Sequence, residues 1–276
     1  MRYGITGSKG FLGSSLYLKL KSSKKANVIC DFDPRYTEIP DSLDVIFHLG
    51  YSSVQDYHNK YKISLESDFE SAKSIATYCQ KNFTHLIFIS SAAVYTKNLH
   101  NNYYAQSKIE IENLLLDFFD SKFYPLTIVR LFNPYGPGQS LNYIIPQIIN
   151  SLSSKKKLII NEPKSKRDFV FVDDFLELIS ECPKDEIAPY VFDFGTGTET
   201  SIEELVKLIS KKINIDYKDF IEFNQSGFTS NIRVDRGQFD IPSRFKFKYS
   251  LDDGIQKVID TYKTYSNISL LNQENL

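Results

Sequence analysis

Short runs of aliphatic, β-branched and aromatic residues alternate along this chain with longer stretches in which apolar residues recur every three or four positions. The runs over residues 2–6, 26–32, 44–49, 85–90, 126–131, 169–172 and 190–194 predict strands. Helical spacing over residues 11–21, 65–81, 103–119 and 142–151 predicts helices between them. This alternation of strands and helices predicts a parallel sheet with both faces covered. After residue 197 the pattern changes to a helix over 202–213, irregular sequence, and a helix over 251–262. That change predicts a smaller, mostly helical lobe.

Composition narrows the class. The chain has 276 residues, 42% of them hydrophobic and 24% charged, which is soluble-globular and excludes a disordered or collagen-like chain. Lys and Arg number 33 against 34 Asp and Glu, so no basic field exists for nucleic acid or an anionic membrane. The longest apolar stretches fall far below the roughly 20 residues of a bilayer span. The chain opens on Met1-Arg2-Tyr3, already a strand pattern, which predicts no secretory leader. Cys30, Cys79 and Cys182 are odd in number and widely spaced, which suits free thiols in a reducing cytoplasm. The four histidines are scattered and predict no metal site.

The first predicted strand and helix are joined by Gly7, Gly10 and Gly13, spaced Gly-x-x-Gly-x-x-Gly. Gly7 suits a tight turn, Gly10 a close backbone approach to a pyrophosphate, and Gly13 a helix packed close to its strand. The helix N-terminus then offers amide donors to phosphate. The second strand ends at Cys30-Asp31-Phe32-Asp33, some 20 residues further on, where dinucleotide folds place an acid on the adenosine ribose. An acid there favours NAD over NADP, whereas Lys9 and Arg35 offset its repulsion of a 2′-phosphate. Asp31 and Asp33 equally suit turn positions before Pro34.

Beyond the strand 85–90, Ser90-Ser91-Ala92-Ala93-Val94-Tyr95 leads to Tyr104 and Lys108 at the start of a helix. Their four-residue separation puts both on one helix face. A phenol with a pKa of about 10 is a poor base at neutral pH, and an adjacent ammonium favours its phenolate. Ser91, at a strand's carboxyl end, is placed to hydrogen-bond a substrate oxygen. Tyr103 competes for the base role, but four residues beyond it stands Ser107 rather than a lysine. With 18 tyrosines, such a pair also arises by chance on an amphipathic surface.

Taken together, Thr6-Gly7-x-x-Gly10-x-x-Gly13, Ser90-Ser91-Ala92-Ala93-Val94-Tyr95 and Tyr104-x-x-x-Lys108 resemble the extended short-chain dehydrogenase/reductases of the NAD-dependent epimerase/dehydratase family. His48-Leu49-Gly50, Arg130-Leu131-Phe132-Asn133-Pro134-Tyr135-Gly136, Arg167-Asp168-Phe169-Val170, Phe194-Gly195-Thr196-Gly197 and Ser250-Leu251-x-x-Gly254 are similar to further landmarks of that family, in the same order. The resemblance runs from about residue 1 to 262. It implies an α/β fold: a Rossmann-type doubly wound parallel sheet, spanning 1–134 plus about 168–197, that binds NAD, with NADP left open. It also implies a nucleotide-sugar lobe over about 135–167 plus 198–276. Ser91, Tyr104 and Lys108 would be catalytic. Gly7, Gly10, Phe11, Leu12, Gly13, Asp31, Asp33, Leu49, Gly50, Ser90 and Phe132 would line the cofactor, with Tyr104 and Lys108. Asn133, Arg167 and Ser91 would meet the substrate. A guanidinium suits bidentate oxygen contacts, and Arg167 equally suits an ion pair with Asp173 or Asp174. The helix from Tyr103 carries Ile111, Leu114, Leu115, Phe118 and Phe119, more apolar surface than one sheet face needs, and predicts a homodimer.

The chain departs from the family pattern in places. Asp33 and Asp44 are so close that the family's intervening strand is missing or greatly reduced. Gly50 and Tyr51 stand where small residues are commoner, and Asp68 replaces a usual Asn. Ala92 and Ala93 stand where 4,6-dehydratases carry an acid pair, which argues against dehydration. The expected activity is epimerisation of a nucleotide sugar through a keto intermediate, at C4. One-way reduction of a 4-keto sugar and a non-catalytic dinucleotide-binding module are the alternatives.

Overall fold

The computed structural model describes residues 1–23, 28–96, 99–119, 125–181, 190–224 and 245–273. Cys182 lies outside them. The elements in chain order are β1 (Arg2–Thr6), α1 (Phe11–Ser22), β2 (Val28–Asp31), β3 (Val45–His48), α2 (Val54–Asn82), β4 (His85–Ser91), α3 (Tyr103–Phe118) and β5 (Leu126–Leu131). There follow β6 (Pro134–Tyr135), α4 (Ile144–Ser154), β7 (Leu158–Ile160), β8 (Lys166–Asp168), β9 (Val170–Phe171), α5 (Val172–Glu181), β10 (Tyr190–Phe194), β11 (Glu199–Ser201), α6 (Ile202–Ile213), β12 (Ile221–Phe223) and α7 (Leu251–Gln273).

The chain divides into two compact units, the first built on Met1–Phe132 and Phe175–Phe194, the second on Asn133–Asp174 with the described residues 195–224 and 246–273. The first unit holds a six-stranded sheet in the order β10-β5-β4-β3-β1-β2, and every pairing is parallel. Val45–His48 is buried at all four positions, as a strand covered on both faces requires. Ile75, Ala76 and Cys79 of α2 pack with Ile111 and Leu115 of α3 against Leu86, Phe88 and Ile128 of the strands. Ile111, Leu115 and Phe119, expected at a dimer face, are thus consumed by this core, with Leu114 and Phe118 only partly buried.

Successive strands run away from β1 in both directions, to β2 on one side and β3 on the other. The sheet therefore has a switch point between β1 and β3, and the loops following those strands flank it. No strand occurs in the described stretch between β2 and β3, so β2 is an edge. The shortened segment after Asp33 forms turns instead.

The second unit has its own core. Ile145, Ile148, Ile149 and Leu152 of α4 meet Leu205, Val206 and Ile209 of α6 and Ile255, Val258 and Ile259 of α7. These positions follow helical spacing on all three elements. Three two-stranded pairings complete it: β6 with β9 and β7 with β12, both parallel, and β8 with β11, antiparallel.

Two expectations differ from the structure in their bounds. α2 begins at Val54, eleven residues before the predicted start, under a reciprocal cap between Ser53 and Asp56. Its first turns are polar and end in a non-helical Lys60 (φ −143°, ψ 48°), which hides them from a periodicity reading. The strand expected over 169–172 is only Val170–Phe171, because Val172 already opens α5.

Candidate functional site

The turn after β1 is shaped by what its glycines leave out. Gly7 has φ +71°, and a Cβ there would stand 2.7 Å from the Gly50 backbone. A Cβ on Gly13 would stand 2.1 Å from the Gly7 carbonyl oxygen, so α1 approaches β1 as closely as it does only with glycine present. Thr6 Oγ1 joins the two loops, accepting from the Gly50 amide (2.8 Å) and contacting His48 Nδ1 (2.8 Å). No side chain caps α1, whose N-cap residue is the exposed Gly10, followed by Phe11 and Leu12. An uncapped helix start behind a cradle that any side chain would fill fits a pyrophosphate. Leu49 and Gly50 lie across the same switch point.

Of the two acids at the end of β2, Asp33 is the one engaged. Arg35 donates to both its carboxylate oxygens, at 2.8 and 2.7 Å, and this pairing holds the Asp33 carboxyl below the usual range. Asp31 ends the strand and is exposed. Arg35 also reaches toward Asp68, with Nη1 3.6 Å from Oδ1.

The carboxyl end of β4 faces the start of α3. Asn102 caps that helix by accepting from the Ala105 amide (3.0 Å). Lys108, one turn in, is 3% exposed and donates from Nζ to the Ile89 carbonyl of β4 (2.9 Å). Its ammonium lies 3.5 Å from the centroid of the Tyr51 ring, 4.7 Å from that of Phe88 and 5.8 Å from that of Tyr104. Burial pushes the Lys108 ammonium down to about 7, against the opposing pull of Asp68 and Glu112. Tyr104 is half-buried and meets Tyr51 and Tyr57 edge-on, at 5.9 and 6.0 Å. Its neighbour Tyr103 is exposed and stacks on Tyr61 at 4.4 Å. Tyr104, not Tyr103, is therefore the tyrosine gathered with the lysine. Ser91 Oγ accepts from the Ala93 amide (3.1 Å), which starts a 3-10 turn at the strand's end.

Beneath these residues runs a polar chain that the sequence did not reveal. Ser90 Oγ donates to Glu112 Oε1 (2.5 Å), and Arg130 forks onto Glu112 from Nη2 (2.7 Å) and Nε (3.1 Å). Arg130 Nη1 donates to Tyr95 Oη (2.8 Å), which donates to Asp193 (2.8 Å). Phe132 stacks on Tyr95 and is fully buried, as is Ser90 nearly so. On the α2 side Asp68 is fully buried, accepting from the Ser52 amide (2.9 Å) and from Tyr57 Oη (2.8 Å).

Asn133 and Arg167 belong to the second unit. Asn133 Nδ2 donates to the Asp168 carbonyl (3.0 Å), and Arg167 Nη1 to the Lys166 carbonyl (2.9 Å). The Asp168 carboxylate accepts from the amides of Thr196 and Gly197 and from Thr196 Oγ1, fixing the strand that carries Arg167. Asp174 accepts from the amides of Lys248 and Tyr249. Among the described residues no group of three His, Cys, Asp or Glu is placed to hold a metal ion, and no helix is long and apolar enough to cross a membrane.

The comparisons with known proteins bear on the family and the fold. The model of the NAD dependent epimerase/dehydratase family matches residues 4–182. The dTDP-4-dehydro-6-deoxyglucose reductase of Escherichia coli is 26% identical, over 94% of this chain and 96% of its own length. The UDP-N-acetyl-alpha-D-glucosaminuronate decarboxylase of Bacillus cytotoxicus is 25% identical, over 95% and 98%. In fold, the chain is similar to the UDP-glucose 4-epimerase of Thermotoga maritima solved with UDP-glucose, with a TM-score of 0.82 and 18% identity, covering 96% of this chain and 100% of that one.

Proposed function

Because the chain belongs to the NAD-dependent epimerase/dehydratase family, we propose that it is a nucleotide-sugar 4-epimerase working with bound NAD. The observation that carries this reading is the gathering of Tyr104 and a buried Lys108 against β4, the strand that ends at Ser91. A bound nicotinamide supplies the acceptor and donor of hydride at the sugar carbon. The glycine turn and the start of α1 hold the pyrophosphate, and Lys108 holds the adjoining ribose. Tyr104 Oη takes the proton of the C4 hydroxyl and returns it, while Lys108 favours the phenolate and Ser91 steadies the oxygen. Asn133 and Arg167 serve the sugar diphosphate. Ala92 and Ala93 provide no acid for eliminating water, which argues against dehydration.

One observation favours a second reading, one-way reduction of a 4-keto sugar. β2 is an edge, and Asp33 is already satisfied by Arg35, which suits a cofactor exchanged each cycle more than one retained. The Escherichia coli relative carries a reductase name. The free thiols Cys30 and Cys79 suit a cytoplasmic setting.

The test isolates the protein without added cofactor, looks for NAD released on denaturation, and follows a panel of nucleotide sugars with the wild type and Tyr104→Phe. The epimerase reading expects retained NAD, interconversion of C4 epimers, and at least about a hundredfold loss of turnover in Tyr104→Phe with cofactor binding kept. Stoichiometric consumption of NADH or NADPH by a 4-keto sugar, with no retained NAD, overturns epimerisation in favour of reduction. Full activity in Tyr104→Phe overturns the assignment of the base, and no turnover or exchange by any form favours a non-catalytic module.

A further inference from the structure

We propose that Tyr51 is a positioning residue for Lys108, its ring forming the wall of an aromatic box that holds the ammonium against β4 in its protonated form. The inference rests on reading Lys108 as the partner of Tyr104, and it adds a residue to which that reading gives no part.

The geometry is closed on several sides. The ammonium has one carbonyl partner, Ile89 O, and lies 3.5 Å from the Tyr51 ring centroid, with Phe88 and Tyr104 further out. An aromatic face carries negative potential and attracts a cation most strongly where water is excluded. Tyr51 is itself fixed. Its hydroxyl donates to Ser107 Oγ (2.7 Å), the residue preceding the lysine, and its ring stacks on Tyr57 at 5.6 Å and 24°. Tyr57 is fully buried and anchored through its own hydroxyl to the Asp68 carboxylate. The wall therefore cannot turn aside without breaking its hydrogen bond to Ser107 and the stack on an anchored Tyr57.

The charged and titratable groups facing Lys108 are few. Asp68 on α2 and Glu112 on α3 favour the ammonium, and the Tyr104 phenol faces it from the preceding turn of α3. His48 on β3 is held neutral by burial, pushed down to about 3, and the Tyr51 and Tyr57 phenols are pushed up by burial. Burial and these anionic neighbours oppose each other at Lys108, and the Tyr51 ring over its ammonium adds to the anionic side.

The test reads the lysine directly, in substrate-free protein carrying isotopically labelled lysine, with the Lys108 signal assigned from Lys108→Arg. Tyr51→Leu keeps an apolar body but removes the ring, and the Lys108 midpoint should fall by about one pH unit. Tyr51→Phe keeps the ring and should leave the midpoint within about 0.3 of the wild type, losing only the Ser107 contact. Tyr51→Met stands in if the leucine variant does not fold by circular dichroism. An unchanged midpoint in the folded leucine or methionine variant overturns the proposal, as does an equal fall in Tyr51→Phe. A wild-type Lys108 titrating above about 10, like a free lysine, overturns it too. Because no turnover is measured, a failure of the epimerase reading leaves this result standing, and the reverse.

Discussion

Arg130→Met is expected to destabilise the first unit far more than its position at the end of a strand suggests. The Glu112 side chain is 4% exposed and its carboxylate is held by the Arg130 fork and the Ser90 hydroxyl. Removing the guanidinium leaves a buried charge with one neutral donor, a change that costs about 3–5 kcal/mol where neither side is hydrated. Arg130 is 26% exposed, so water can enter from its side, and Ser90 remains. Those two facts place the cost near the lower end, about 3 kcal/mol. Set against a domain stability of about 5–15 kcal/mol, that is a large fraction. Urea unfolding followed by far-ultraviolet circular dichroism reads it as a lower midpoint at unchanged slope. The paired variant Glu112→Leu/Arg130→Met removes both charges, and it should recover at least half of the loss even though Ser90 and Tyr95 lose a partner. A coupling energy of about 2 kcal/mol between the two sites is the expected result of the cycle. If Arg130→Met costs less than about 1 kcal/mol, or if the double variant loses the sum of the singles, the pair is hydrated and the reasoning fails.

Acid should unfold the protein through its buried histidines. Burial pushes His48 down to about 3 and His85 to about 4, from an ordinary 6.5. Their folded forms therefore resist protonation, and the stability they contribute is complete above about pH 6.5 and lost as pH falls toward 4. Urea midpoints measured over that window should decline less steeply in His85→Gln, which keeps a polar partner for Thr127 but takes up no proton; an identical slope refutes the assignment. Homodimerisation is proposed through α2 and α3, now on the strength of the exposed Val54, Ile63 and Tyr103 rather than the buried α3 residues. Light scattering at micromolar concentration should give twice the 31.8 kDa chain mass, and a monomer mass refutes it.

Much of the fold was legible because its signals are local. β1, β5 and β10 occupy the residues expected of them, since each is a short, largely buried run rich in β-branched or aromatic residues. The Gly7, Gly10 and Gly13 turn was legible for the same reason: its conformation is dictated by what a Cβ would strike, and that is written in the sequence. The first turns of α2 were missed because they are set by the Ser53–Asp56 cap and interrupted at Lys60, while their side chains are mostly polar. The short strands of the second unit carry two or three residues each, below the length at which alternation can be read.

The site was legible as a list of residues but not as an electrostatic arrangement. Tyr104 and Lys108 are four apart, so their shared face follows from helix geometry alone. Their charge state does not, because it depends on partners far away in sequence: Tyr51 over the ammonium, Asp68 behind Tyr57, and the Arg130 that pairs the charge of Glu112. The expectation of a simple pair, in which a fully charged lysine lowers the tyrosine, omits the burial that brings Lys108 itself down to about 7. The polar chain from Ser90 through Glu112, Arg130 and Tyr95 to Asp193 then has a clear physical purpose. It keeps a second carboxylate beside the lysine while pairing that carboxylate's charge, so Lys108 gains an anionic neighbour at no cost of an unpaired buried ion.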